Sequence, residues 1–461
     1  MKSISKTNIL TATIMGMMFI SLPFIGCKKS GSGSASLADT TFDITKVNHV
    51  VVIYLENHSF DNLYGQFAGA NGLSNAIPGN TTQVDSSGNV YSFLPPIPGT
   101  SAFPTNLPNT YFNIDQYIPA DMITPDVTHR YYQEQLQIDG GKMDKYAYYN
   151  IPGSSAGLTQ GYYTTSIIPM LGMAQKYVLC DNFFHSAFGG SFLNHQWLIA
   201  AASPTFPNAP ASIVATVNPT TGMFITDGQV TPDGYVVNTS YSVNTPHPST
   251  TPVANLVPEQ TNPTIGDRLS AKSVSWAWYS GGWDSAIAGH PDPTFQFHHQ
   301  PFAFYANYAD GTPGRAAHLK DETEFIDSAT HGTLPAVSFI KPLGINNEHP
   351  GYSDVYNGET HAVELINDVL NGPNGKDAVI IVTYDENGGF WDHVAPPVID
   401  TKWGPGTRVP AIIVSPFAKT GYVDHTQYET VSILSFIEKR WGLTALSTRD
   451  ANANPFSNSF K

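Results

Sequence analysis

IVTYDENGGFWDHVAPP, from Ile381 to Pro397, decides how this chain is read. Val379, Ile380, Ile381 and Val382 form a short β-branched apolar run of the kind found in a strand covered on both faces, and Asn387, Gly388 and Gly389 end it in a turn. Two carboxylates, Asp385 and Glu386, stand at the point where the strand stops. In open α/β sheets ligands gather at the carboxyl ends of strands, so the pair reads either as turn-forming acids or as half of a metal site.

Similar runs recur along the chain: Val50 to Leu55, Tyr177 to Leu179, Val274 to Trp278, Val337 to Ile340 and Val409 to Val414. Each ends in polar or glycine-rich sequence, as the strands of one central, mostly parallel sheet do. Helical patterns fall between them. His361 to Leu370 puts Ala362, Leu365, Ile366, Val369 and Leu370 on one face behind Thr360 as N-cap, and Thr426 to Glu429 forms a capping box ahead of Val431 to Arg440. This alternation predicts an α/β/α sandwich. Residues 66–110 and 203–265 are rich in Pro, Thr, Asn, Gly and Ser, and read as loop or cap excursions.

Lys2 and Lys6 precede the apolar run Ile14 to Ile25, and Gly26-Cys27 follows, the pattern of a secretory signal with a bacterial lipoprotein cleavage point. The organisation expected is a signal peptide over 1–26, a tether lipid-anchored at Cys27 over 27–44, a catalytic domain over 45–445 and a tail over 446–461. Such a protein is exported and held in the cell envelope. Removal of residues 1–26 takes away two lysines and no acid, moving the net charge from −15 to −17. A nucleic-acid partner is thereby excluded, because phosphate neutralisation needs clustered Lys and Arg. Of the two cysteines only Cys180 then remains besides the anchor, so there is no disulfide framework and no cysteine-rich metal centre. Cys180 reads as a buried strand residue.

The chemistry-bearing residues come in three groups. Val50 to Leu55 runs into Glu56-Asn57, as the later strand runs into Asp385-Glu386, and the four side chains offer hard oxygen donors suited to one divalent cation, Ca²⁺, Mg²⁺, Mn²⁺ or Zn²⁺. Without a cation, three carboxylates so close would raise each other's pKa values. Gly189-Gly190 then makes a permissive turn before Ser191, at the start of a helix running through Trp197 and Ala201. Ser191 is either an N-cap or a nucleophile facing an anion at the positive end of that helix. His129, His298, His299, His349 and His393 lie in polar or turn-rich contexts, where they are surface residues or donors and acids for ester hydrolysis.

The blocks ENHSFDNLYG, FGGSFLNHQ, FQFHHQPF, NEHPGYSD and TYDENGGFWDHVAPP, in this order, resemble the bacterial phosphoesterase family that contains the acid phosphatases and the phospholipases C acting on phosphatidylcholine. The likeness covers about residues 45 to 445 and rests on several separated motifs. It implies an alkaline phosphatase-like α/β/α fold, with one metal ion held by Glu56, Asn57, Asp385 and Glu386 and touched by a nucleophilic Ser191. It further implies a phosphate pocket lined by His129, His298, His299 and His349, with His393 close by. GGKMDKYAYY, SFLNHQ and the short stretch beyond Arg440 are more similar to the acid phosphatase branch. The expected activity is hydrolysis of phosphomonoesters through a phosphoserine, on a small-molecule phosphate ester or a lipid head group. A phospholipase C cleaving phosphodiesters is the alternative, with Trp276, Trp278, Tyr279 and Trp283 as a choline cradle or, more simply, as core. A sulfatase would need a cysteine in a C-x-P-x-R setting, which Cys180-Asp181-Asn182 lacks. A non-catalytic surface binding lipoprotein is the reading from another class.

Overall fold

A computed structural model describes residues 42–97, 102–150, 156–220 and 224–461. The expected signal peptide and Cys27 lie outside them. Among the described residues no helix is long and apolar enough to cross a membrane.

The apolar runs become an eight-stranded sheet: β1 (His49–Leu55), β2 (Val178–Cys180), β3 (Trp276–Ser280), β4 (Leu319–Asp321), β5 (Val337–Lys341), β6 (Ala378–Tyr384), β7 (Ala411–Val414) and β8 (Tyr422–Asp424). Their spatial order is β8-β2-β7-β6-β1-β5-β3-β4. Every pairing is parallel except the two made by β7, which runs against β6 and β2. Parallel neighbours need a long crossover, usually a helix, and residues 385–410 contain none, so β7 returns directly and antiparallel.

Four helices matter for the site: α1 (Tyr131–Ile138), α2 (Ser191–Ala200), α3 (Val355–Asn371) and α4 (Thr430–Trp441). Their disposition follows from the pleat. Tyr54 pairs with Thr383 and Leu55 with Tyr384, so Tyr54 and Tyr384 point to opposite faces. Tyr54 meets His195 and the Asn194 carbonyl of α2, against which α4 packs. Tyr384 donates to Glu348 Oε2 at 2.9 Å on the other face, the side on which Glu359 of α3 lies beside it. Helices therefore cover both faces, the expected α/β/α arrangement.

Two helix starts differ from expectation. α3 begins at Val355, not His361, because Asp354 takes the cap and accepts the Asn357 N–H at 2.7 Å. Thr360 is inside the helix, its hydroxyl bonded to the Tyr356 carbonyl. α4 is capped by Glu429, whose N–H donates to Ser432 Oγ, rather than by a box from Thr426 to Glu429. Cys180 is buried in β2, and its burial pushes the thiol up. Trp276, Trp278, Tyr279 and Trp283 are all buried in the core. The stretch 446–461 carries a short helix, Thr448–Asn452, and buries Phe456 against Phe183, Tyr428 and Phe436.

Candidate active site

Strand register builds the centre. Leu55 and Tyr384 are paired at the ends of adjacent parallel strands, so Glu56 and Asp385 leave the sheet side by side, and both are fully buried. The Asn57 N–H donates to Asp385 Oδ1 at 3.1 Å, which also accepts from Glu386 N. Asn57 has a positive φ of 66°, and the turn after Glu386 closes directly over it. Only glycine permits that closure: a Cβ on Gly388 would lie 2.1 Å from the Asn57 carbonyl oxygen.

The serine comes from the start of α2. Gly190 is the N-cap and Ser191 the first residue of α2, so Ser191 does not cap its helix. Its Oγ donates to Glu56 Oε2 at 3.0 Å. The preceding Gly189 has φ 92°, and a Cβ there would stand 2.6 Å from the backbone of Tyr131.

The donor types of Glu56, Asn57, Asp385 and Glu386 suit a divalent cation, and Glu56 also groups with His195 and His299, whose ligand atoms lie within 4.8 Å of one another. With its oxygen turned inward, the Asn57 carboxamide faces Glu56 Oε2 at 3.2 Å and Glu386 Oε1 at 2.6 Å, an acceptor among acceptors. Turned the other way it donates to both and accepts from His349 Nε2 at 3.1 Å. Hydrogen bonding alone favours the second orientation, and a cation held among these oxygens would favour the first. Asp385 Oδ2 is buried and hydrogen-bonded to nothing among the described residues. Burial, reinforced by Glu56, pushes the Asp385 carboxyl up to about 8, and burial together with Asp385 pushes Glu386 well above the ordinary carboxylate range. Glu56 is buried too, but His299 and Lys341 beside it hold its carboxyl well below that range. So many acceptors around one point demand positive charge.

The histidines divide. His299 Nε2 lies 2.7 Å from Glu56 Oε1, and its carbonyl is fixed by Trp278 Nε1. His298 is buried at its side, with ring centroids 4.6 Å apart. Burial pushes both downward, His299 to about 4. His129 and His349 are half-buried, with rings 5.5 Å apart. His129 Nδ1 donates to the Val127 carbonyl, which leaves Nε2 pointing at Asn57, 3.4 Å from its side-chain nitrogen. His393 belongs elsewhere: its Nδ1 bonds Asp61 Oδ2 at 2.6 Å, and buried Arg408 pairs with both Asp61 and Asp392. The Arg408 guanidinium supplies the charge that this second acidic cluster requires.

Two residues at the centre went unnoticed in the sequence. Lys341, the last residue of β5, is fully buried and pairs with Glu56 Oε1, with Asp385 Oδ2 at 3.9 Å. Its signal was a lysine directly after the apolar run Val337 to Ile340. His195 stacks on His299 with centroids 5.1 Å apart and donates from Nδ1 to the Ser191 carbonyl. It stands four residues after Ser191, on the same helix face.

Within an α/β/α fold, acids from two neighbouring strand ends thus meet a serine at a helix start. The model of the Phosphoesterase family matches residues 47–444, and the chain belongs to that family of phosphoric ester hydrolases. Among curated relatives it is similar to phospholipase C B of Mycobacterium tuberculosis, 23% identical over 90% of this chain and 78% of the relative. It is also similar to the non-hemolytic phospholipase C of Pseudomonas aeruginosa, 22% identical over 87% of this chain but only 55% of the relative. A solved structure described as a protein in the alkaline phosphatase superfamily from Vibrio parahaemolyticus covers 72% of each chain at 10% identity and a TM-score of 0.36, too distant to bear on function.

Proposed function

We propose that this protein hydrolyses phosphomonoesters in acid through a phosphoserine at Ser191, with one divalent cation held by Glu56, Asn57, Asp385 and Glu386. The observation that carries this reading is the 3.0 Å hydrogen bond from Ser191 Oγ to Glu56 Oε2 inside a ring of buried acceptors. A cation held by Glu56, Asn57, Asp385 and Glu386 would supply positive charge for the serine oxygen and the phosphoryl oxygens. Ser191 Oγ attacks phosphorus in line, the new O–P bond forming as the ester P–O bond breaks. Glu56 Oε2 holds the hydroxyl proton as the attack begins, and a pocket histidine gives a proton to the departing alcohol. Water then attacks phosphorus and gives a proton back to that histidine as the Oγ–P bond breaks, and Ser191 Oγ regains its proton from Glu56 while phosphate leaves.

Preference for acid rests on the receiving groups. Burial holds His298, His299 and His349 neutral until the pH falls, and Lys341 is already paired with Glu56, so positive charge to meet the phosphoryl oxygens is gained only in acid. Cleavage of a phosphodiester, the second reading, is favoured by the relatives named phospholipase C. It gains nothing from an aromatic cradle, because the four aromatic residues that would build one are buried.

The test compares p-nitrophenyl phosphate with p-nitrophenyl phosphorylcholine across acidic to neutral pH. Turnover of the first supports the monoester reading and of the second the diester reading, while turnover of neither leaves a binding role. Ser191→Ala should reduce the rate by about a thousandfold or more. A folded variant with near-normal turnover removes Ser191 from the role, and an active preparation free of metal by elemental analysis removes the cation.

A further inference from the structure

Beside the serine turn lies another buried carboxylate. Glu134 of α1 is 1% exposed, and four hydrogen bonds engage its two oxygens. Oε1 accepts from His185 Nε2, Thr407 N and Thr407 Oγ1, each at 2.8 Å. Oε2 accepts from the Gly189 N–H at 2.5 Å. His185 is fully buried and its Nδ1 donates to the Ala187 carbonyl at 2.7 Å, so it meets two acceptors and carries the compensating charge. Asn194, one turn into α2, grips the same segment by donating to the Ala187 and Gly189 carbonyls at 3.0 and 3.1 Å and accepting the Ala187 N–H.

We propose that Glu134 is a positioning residue for Ser191: by accepting the Gly189 N–H in the turn, it sets where Ser191 Oγ stands relative to Glu56 and Asn57. The inference rests on the reading of Ser191 as the nucleophile. Tyr131 touches Gly189 and the His129 carbonyl touches Gly190, both within the distance a Cβ would need. One helix and the residues just before it therefore tie the His129 side of the pocket to the serine turn. A buried carboxylate costs free energy to place, and one of the four hydrogen bonds that offset this cost holds the residue before the N-cap of α2.

Glu134→Gln tests this. Its amide oxygen can still serve the three donors at the Oε1 position, which turns the NH₂ toward the Gly189 N–H, donor against donor. The kcat for the ester that the wild type turns over should fall by about 10- to 100-fold, with the inhibition constant for inorganic phosphate within about twofold of wild type. Glu359→Gln, at a buried carboxyl on the opposite face of the sheet, serves as the control and should keep normal kcat. Wild-type kcat in folded Glu134→Gln, weakened phosphate binding equal to the loss in kcat, or the same loss in Glu359→Gln overturns the proposal. If Glu134→Gln does not fold, Glu134→Asp carries the same prediction, since its shorter side chain must release Gly189 or Thr407. Turnover by Ser191→Ala defeats the nucleophile reading itself, whereas an inactive Ser191→Ala beside a fully active Glu134→Gln defeats only the positioning role.

Discussion

Lys341 shows how much one side chain can decide. A lysine at the end of a central strand is solvated in most sheets, but here it is sealed beneath two carboxylates and is the ammonium that Glu56 meets. Removing one partner of a buried pair leaves the other uncompensated. Lys341→Met should therefore cost about 3 kcal/mol or more of unfolding free energy in chelator, read from the urea midpoint. A divalent cation should recover part of that loss by neutralising Glu56, and a variant as stable as wild type in chelator would remove Lys341 from this role. At this scale the sequence displayed the acids clearly, because two strands ended in them in the same way. Lys341 and His195 stayed hidden because lysine and histidine are commonplace at strand ends and in helices, and only register and helix phase bring them to Glu56.

Among the elements, the strands were legible and the helix starts less so. β-branched runs buried on both faces have few alternatives, whereas a helix start is settled by whichever cap and tertiary contacts win. The first turns of α3 contain Asn357 and Gly358, poor helix formers that hide the helix from a periodicity reading. Packing explains the glycine, since a Cβ at Gly358 would lie 2.2 Å from Glu348 Cγ. Asp354→Ala should lower stability by about 1 kcal/mol through loss of the Asn357 N–H bond, while activity on the preferred ester is retained. Calorimetry alongside a kinetic assay checks both halves. The direction of β7 was also present in the sequence, in the lack of any helical period between Glu386 and Pro410, but an apolar run does not reveal strand direction by itself.

For the whole molecule, the second face of the sheet has an electrostatic character of its own. Glu348 and Glu359 are buried there beside Tyr384 and Tyr64, and burial pushes Glu359 up to about 8. A carboxyl raised in this way binds its proton more tightly in the folded state than in the unfolded one. Its contribution to stability is fully present below the free value of 4.5 and is lost as the pH rises toward about 8. Glu359→Gln is permanently neutral, so its stability relative to wild type should climb across that window. Thermal midpoints that keep a constant difference from pH 5 to 8 would contradict a raised Glu359.

Asn57 and Asp385 are hydrogen-bonded across 328 positions of sequence, and Ser191 and Lys341 come from between them. No short fragment of the chain contains the proposed ligands Glu56, Asn57, Asp385 and Glu386 together. Closing so long a loop costs configurational entropy that only the assembled sheet offsets, so the unfolded chain presents these donors scattered and weak. On the proposed reading, tight cation uptake would report that the first and the last thirds of the sequence have been joined correctly, and a molecule that had not joined them would remain easier to unfold.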